Sequence, residues 1–325
     1  MNSFKTYIAI LLTAILITSC QKVIEFNGEI TDPIITVNSL LTPDSVVSAQ
    51  ISYSRFFLSN DTLFSLIDNA QTNLFVNGAL KETLSYNISK GLYVGTYKPV
   101  SGDSLSLQIK IPGKNDVTCA TSLKSTAYIY SIDTSTVSTN KKRPITVTRP
   151  IDLTHIKLDT IGYGYEHKMS CVLHFTDDGA DRNYYRLAVT TKTTMGTKKT
   201  YSYSVNFDDV VSGNTNNNIG PPTSLVSNKY NIFDNQLFKG KSYDLKFSIL
   251  YNNNVFLPGI IKNPNSQEIT INLQKISHSY YLYLQTRAAI NTRNFFAEPV
   301  QVYSNVDGGL GIMGTYTNSV IKFTL

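Results

Sequence analysis

The sequence contains no tryptophan, three cysteines and four histidines in 325 residues. Three cysteines are too few for a disulfide framework, and the histidines are too scattered for a metal site with ligands at helical spacing. Only 16% of the residues are charged while 42% are hydrophobic, which excludes an intrinsically disordered chain. The single long apolar run lies at the extreme N-terminus, and this excludes a polytopic membrane protein.

Catalytic signatures are also scarce. The chain has no G-x-S-x-G, no H-E-x-x-H and no glycine-rich phosphate loop followed by a helix. Lysines cluster modestly at 141–143 and 192–199, but no nucleic-acid-binding motif accompanies them. We therefore expect a protein that is not an enzyme, with no catalytic residues, no cofactor and no nucleic-acid partner.

The first twenty residues have the pattern of a bacterial lipoprotein signal. Lys5 supplies a short basic region, and residues 7–17 form an apolar run about half as long as the ~20 residues of a spanning helix. The run ends in Ile-Thr-Ser-Cys at 17–20, which is a lipobox. We expect cleavage after residue 19 and lipidation of Cys20. The alternative is an ordinary secretory signal with a cysteine nearby by chance.

Residues 20–30 would tether the lipidated chain to the membrane. Two or three acyl chains on one cysteine anchor a protein stably, whereas one chain is marginal. No dense acidic run follows Cys20, so this segment does not fix the face of the membrane on which the protein lies.

Most of the mature chain alternates between apolar and polar residues with a period of two, which predicts a mainly β protein. The abundant tyrosine, phenylalanine and threonine favour strands as well. Seven short segments at ~8–12-residue spacing predict an N-terminal β-sandwich of immunoglobulin or transthyretin type over 31–125. They are residues 34–40, 46–57, 70–76, 81–86, 91–97, 104–111 and 116–121.

A polar, threonine-rich segment at 126–168 is predicted to be a linker or an excursion at a sheet edge. A second β-rich domain, also a sandwich, is predicted over 169–325. Its strands are expected at 169–175, 183–191, 201–207, 243–251 and 268–273.

One segment of this domain, 277–291, has the spacing of an amphipathic helix. Tyr280, Leu284 and Ala288 recur at i, i+4 and i+8, and Ser277 or Ser279 can cap the first turn. The competing interpretation is a strand that buries Tyr280, Leu282 and Leu284.

Four stretches of the mature chain resemble an uncharacterised family of Bacteroidetes lipoproteins. They are residues 33–41, where Ser39 replaces a family glycine; 68–103, with Gly78, Gly91 and Gly102; 181–186, with paired tyrosines; and 296–312, the most specific match. The family's genes commonly adjoin those of TonB-dependent outer-membrane receptors. The resemblance implies an architecture, an outer-membrane location facing the cell exterior and a TonB-dependent transporter as partner, but no chemistry.

The motif at 296–312 allows two interpretations. Glu298, Asn305 and Asp307 are candidate ligand contacts of a binding loop. Alternatively, Asn305 and the Asp-Gly-Gly sequence at 307–309 form a structural turn, which we favour because backbone demands alone explain each residue type. Under this interpretation Gly308, Gly309 and Gly311 occupy positions where a side chain would not fit.

Two further groups of residues, three aspartates and two cysteines, each allow two interpretations. Asp177, Asp178 and Asp181 surround a glycine and are weak calcium candidates, but the EF-hand spacing is absent and a solvated hairpin turn is favoured. Cys119 and Cys171 would both reach an oxidising compartment, so they either pair or remain free buried thiols.

These patterns together predict a lipid-anchored accessory protein that binds a peptide or an oligosaccharide beside a TonB-dependent transporter. The lack of tryptophan, the best platform for sugar rings, favours peptide or protein ligands. The alternatives are a structural or adhesive envelope lipoprotein without a small ligand, and a surface hydrolase.

Overall fold

The computed structural model describes residues 32–55, 65–150, 156–179, 181–195, 198–203, 205–207, 209–212, 228–256, 265–290 and 301–325. The predicted signal sequence, Cys20, the tether to residue 30 and Glu298 lie outside the described residues. The described part is mainly β, as predicted, and its strands form large mixed sheets that pack as β-sandwiches.

The N-terminal region contains seven strands. They are β1 (Ile35–Leu41), β2 (Ser48–Tyr53), β3 (Gln71–Val76), β4 (Ala79–Asn87), β5 (Leu92–Val94), β6 (Ser104–Lys110) and β7 (Val117–Ser122). In β1 and β6 every second side chain is buried, which is the burial pattern of a strand with one face on a core. Val37, Leu74, Leu105 and Ile109 lie at the centre of that core.

The rest of the described chain contains nine strands and a helix. They are β8 (Tyr128–Pro150), β9 (Ile156–Thr176), β10 (Tyr184–Met195), β11 (Lys198–Ser202), β12 (Ile232–Asp234), β13 (Ser242–Phe256), β14 (Asn265–Ile276), α1 (His278–Ile290), β15 (Val306–Asp307) and β16 (Leu310–Thr324). Strands β13, β9 and β8 form an antiparallel three-stranded sheet, with β8 at its edge.

The other strands form one continuous sheet in the order β11-β10-β14-β16-β1-β2-β5-β4-β3-β6-β7-β15, and β12 pairs with β10. Strand β16 connects the two regions. Its first half pairs in parallel with β1, and its second half pairs antiparallel with β14. A second core forms where β10, β14 and the end of β16 face the three-stranded sheet, with Leu187, Leu245 and Ile271 inside.

Two findings bear on the predicted division into domains, whose boundaries stay a prediction. Residues 126–168 contain all of β8 and more than half of β9, which fits an excursion at a sheet edge and not a linker, because their threonines suit strands and the prolines of β8 lie on an edge strand, where a missing N–H is tolerated. In addition, Val306 and Met313 are buried in the N-terminal core rather than in the second one. Only the tertiary pairing of β16 with β1 decides this.

Helix α1 confirms the predicted helix, within one residue at each end. The Ser277 hydroxyl accepts the N–H of Tyr280 at the helix start, and Tyr280, Leu284 and Ala288 are buried as predicted. The helix covers one end of the outer face of the sheet and packs on β16. Among the described residues, no helix has both the length and the apolar character needed to cross a bilayer.

Candidate binding site

Asn305, one of the predicted ligand contacts, uses its side-chain amide to hydrogen-bond backbone groups of the protein itself. Its Nδ2 donates to the carbonyls of Ala120 (2.9 Å) and Met313 (2.8 Å), and its Oδ1 accepts the N–H of Met313 (2.9 Å). Both ends of the amide therefore tie β16 to the neighbouring strand β7. Asp307 pairs with Thr118 in the ladder between β15 and β7, with its side chain exposed at the turn.

The glycines after Asp307 lie where side chains do not fit, as the structural interpretation predicts. Gly308 and Gly311 have φ angles of +75° and +120°. A Cβ on Gly309 would lie 2.6 Å from the carbonyl oxygen of Ile35. The motif thus brings β15 and β16 against the N-terminal core. Its glycines are needed because the backbones approach each other closely there.

Asp177, one of the calcium candidates, is a buried hub of hydrogen bonds. Its carboxylate accepts from the Asn183 and Asn235 amides (2.7 and 3.0 Å), from the Tyr185 hydroxyl and from the N–H of Gly240 (2.8 Å). Burial alone would raise the pKa of Asp177, but these donors hold it below its usual range. The predicted hairpin turn here is instead a crossover from the three-stranded sheet to β10.

Asp178 and Asp181 each bind a lysine ammonium. Lys275 Nζ lies 2.6 Å from Asp178, and Lys124 Nζ lies 2.9 Å from Asp181. Burial opposes ionisation of Asp178, but the hydrogen bonds from Lys275, Ser125 and Asn183 together hold its pKa far below the usual range. No group of three histidine, cysteine or acidic side chains is placed to hold a metal ion in the described ranges. The three carboxylates meet amides and ammonium groups, which suit a structural role.

The Lys275 and Asp178 pair lines a cavity of about 230 Å³ between the two sheets. The Lys275 side chain is only 2% exposed, and its Nζ also donates to Ser125 Oγ (3.2 Å). Ser125 in turn donates to Asp178 (2.6 Å). A nucleophilic serine needs a base that takes its proton. Here the lysine donates to the serine and the carboxylate is a weak base, so this triad locks two layers together rather than activating Ser125.

The opposite face of strands β10, β14 and β16 carries a different group of polar side chains. Side chains of β10, β14 and β16 in register form successive rows, since pairing places Arg186 beside Gln274 and Gln274 beside Asn318. The preceding row, Tyr184, Ile276 and Tyr316, packs against α1. We call Arg186, Gln274, Asn318 and Asp44 the polar shelf, because this row follows the edge of the helix.

A continuous chain of side-chain hydrogen bonds crosses the polar shelf. Arg186 Nη1 donates to Gln274 Oε1 (3.4 Å), Gln274 Nε2 donates to Asn318 Oδ1 (3.0 Å), and Asn318 Nδ2 donates to Asp44 Oδ2 (2.6 Å). Asp44 lies in the turn between β1 and β2 and is exposed. The polar shelf therefore begins at a cation, ends at an anion and has two amides between them.

Arg186 is under-satisfied for a half-buried cation. Its contacts to Gln274 and to the Tyr280 hydroxyl are both long, at 3.4 Å, and its Nε has no hydrogen-bond partner in the described part of the chain. The ion pairs found there do not include Arg186. Asn272 Oδ1, in the adjacent row, is a second buried atom without a partner. Buried polar groups are normally paired, so the described residues leave part of the hydrogen-bonding capacity of these rows unused.

The sequence alone did not indicate the polar shelf. A signal exists in the alternation of β14, where Asn272 and Gln274 take the face opposite to Ile271 and Leu273. Such alternation identifies a solvent-facing strand surface but not its neighbours. Arg186 and Asp44 are far apart in sequence, and only the order of the strands brings them to one row.

Cys119, Cys171 and His174 show none of the features of reactive residues. Cys119 and Cys171 are buried and free, and burial raises the pKa of each thiol to about 12. His174 lies on β9 and has a side chain 17% exposed. It lies between Asp244 (2.7 Å) and Asp133 (3.2 Å) on the outer face of the three-stranded sheet. Hydrogen bonds to these carboxylates raise its pKa.

Residues 21–322 match the model of a protein family described as Domain of unknown function (DUF4249). The chain belongs to this family. The expectation of an uncharacterised family is thereby confirmed, while the link to Bacteroidetes and to TonB-dependent receptors stays a prediction. The match begins directly after Cys20, so the DUF4249 region and the expected mature chain start at the same place.

A comparison with curated proteins found no match. Among solved structures, the chain is similar to a protein from Corynebacterium diphtheriae described as membrane-anchored, with 10% identity and a TM-score of 0.21. The aligned part covers 75% of this chain and 55% of that one. No feature of that protein is carried over to the DUF4249 chain.

Proposed function

We propose that this protein is a lipid-anchored accessory binding protein of the outer membrane that acts beside a TonB-dependent transporter in nutrient capture. The observation that carries the binding role is the polar shelf, where an arginine that has no carboxylate partner among the described residues lies in a row of amides on an outer sheet face. Groups with unused hydrogen-bonding capacity favour ligand binding over a purely structural role.

Anchoring by lipid rests on the lipobox at 17–20, which immediately precedes the family match at 21–322. In this proposal the acyl chains on Cys20 hold the mature chain at the outer membrane, facing the cell exterior. The short segment at 20–30 then keeps the folded region close to the membrane surface, where a transporter would be within reach.

Catalysis is not part of the proposal. The best serine candidate, Ser125, has no strong base beside it, since Lys275 donates to it and Asp178, which accepts its hydrogen bond, is a weak base. A binding function therefore requires fewer assumptions about the polar clusters of the described residues than the function of a surface hydrolase would.

Two measurements on cells test this proposal. Cys20→Ser should abolish labelling with a palmitate analogue and remove the protein from the outer-membrane fraction, whereas Cys119→Ser, a matched control at a buried cysteine, should leave both unchanged. Chemical crosslinking of the parent chain followed by mass spectrometry should identify a TonB-dependent transporter. Unchanged labelling of Cys20→Ser, or an outer-membrane protein that crosslinks to no transporter, contradicts the proposal.

A further inference from the structure

The polar shelf has a charge pattern that selects a class of ligand. Arg186 at one end is a cation without a carboxylate among the described residues, and Asp44 at the other end is an exposed anion. The pKa of Tyr316 reports both charges, since burial and Asp44 raise it while Arg186 lowers it. The two charges therefore act on one side of the sheet, around a single phenol ring.

The distance between the charges is set by the strands. β10 and β16 are separated by β14, so Arg186 and Asn318 lie about 10 Å apart at ~4.8 Å per strand spacing. Asp44 lies one hydrogen bond beyond Asn318. The span from guanidinium to carboxylate is thus on the order of 10–14 Å, the length of three or four extended residues at ~3.4 Å each.

We propose that the polar shelf binds a short peptide with free ends, whose C-terminal carboxylate pairs with Arg186 and whose N-terminal amine pairs with Asp44. This inference rests on the binding role proposed above and names its ligand class. The guanidinium fork matches a carboxylate, and charge-assisted bonds of this kind are the strong ones in recognition.

The two amides between the charges suit the middle of such a ligand. Gln274 Nε2 and Asn318 Nδ2 each carry a second hydrogen beyond the one used within the row, and peptide carbonyls can accept it. Tyr280 and Tyr316 form the wall on the helix side, against which an apolar side chain can pack. A neutral sugar would bond to the amides but would leave Arg186 without a counter-charge.

Equilibrium dialysis of the full lipidated chain in detergent tests the inference. The probe is a random mixture of tetrapeptides with free ends, read by mass spectrometry, beside the same mixture N-acetylated or C-amidated, and beside maltotetraose. We expect the free mixture to bind and each blocked mixture to bind about 10- to 100-fold more weakly, the loss of one charge-assisted bond.

Matched variants assign the ends. Arg186→Gln should weaken binding of free peptides about 10- to 100-fold and leave binding of amidated peptides unchanged, and Asp44→Asn should do the same for acetylated peptides. Lys322→Gln removes a positive charge from the same face two rows away and should change nothing. Melting curves confirm that each variant is folded.

The contrary results are distinct. Equal binding of free and amidated peptides, or an Arg186→Gln effect that persists with amidated peptides, overturns the assignment of the carboxylate. Binding of maltotetraose but not of peptides overturns the ligand class and keeps a binding role. No binding of any probe overturns the peptide inference, while the proposed function is still judged by the transporter crosslink.

Discussion

Gln274 and Lys275 are neighbours on β14, and their side chains lie on opposite faces of the same strands. On the inner face Lys275 is buried and has a carboxylate and a hydroxyl within 3.2 Å. On the outer face Gln274 belongs to a row whose cation, Arg186, makes two contacts of 3.4 Å with the described residues. Lys275 is buried and Arg186 is half-buried, yet among the described residues only Lys275 has a carboxylate partner.

This difference separates structural from binding groups. A charge removed from water costs stability unless a partner and hydrogen bonds compensate. The inner cluster meets this requirement and joins two sheets. The polar shelf does not meet it within the described residues, which is the expected condition of a site that a ligand completes. The following experiments test the distinction in decreasing order of effect.

Asp177→Ala should have the largest effect. The change removes one acceptor from three side-chain donors and two backbone N–H groups of the inner cluster, and we expect a loss of about 4 kcal/mol of unfolding free energy. Urea denaturation measures it. Asp181→Ala, at an exposed ion pair, is the control and should barely change the midpoint. A mild phenotype for Asp177→Ala contradicts a structural hub.

Lys275→Met and Arg186→Met compare the two faces directly. Removing Lys275 takes a charge-assisted bond from Asp178, so we expect a loss of about 3 kcal/mol. Removing Arg186 takes away only long contacts, and the loss should stay below about 0.5 kcal/mol. Thermal melting of both variants in one buffer gives the answer. Equal destabilisation would show that the polar shelf is structural too.

Gly309→Val tests the turn that positions β16. A Cβ there would approach the Ile35 carbonyl oxygen too closely, and we expect a loss of about 2 kcal/mol. Asp307→Ala, at the exposed turn, should melt like the parent and still crosslink to its transporter. If Asp307→Ala folds normally but loses the partner, this turn is a binding loop and our structural interpretation is wrong.

His174 should give the smallest effect. Its pKa is raised by Asp244 and Asp133, so the protonated ring stabilises the fold below its ordinary pKa of about 6.5, and this contribution is lost as the pH rises through the raised value. The melting temperature of the parent should therefore fall slightly more between pH 6 and pH 9 than that of His174→Gln. Parallel pH profiles of the two proteins would contradict this.

The sequence alone predicted much of the fold, because the alternation of apolar and polar residues and the residue preferences of turns depend only on residues that are neighbours in the chain. The period-two pattern of 104–111 predicted β6, and the spacing of Tyr280, Leu284 and Ala288 predicted α1. The glycines at 308, 309 and 311 were correctly assigned to close backbone approach, since few other residue types tolerate it.

Long-range pairing was decided only by the tertiary structure. The polar composition of 126–168 allowed a linker or an excursion at a sheet edge, and pairing of β8 with β9 decides for the sheet edge. Asp177 appeared solvated in a predicted turn, but the crossover between sheets buries it among donors. Arg186, Gln274, Asn318 and Asp44 come from four separate segments. The sequence determines which residues face outward on each strand, whereas the order of the strands determines which of them meet. The reason is that backbone hydrogen bonds between strands form whatever side chains they bring into neighbouring positions.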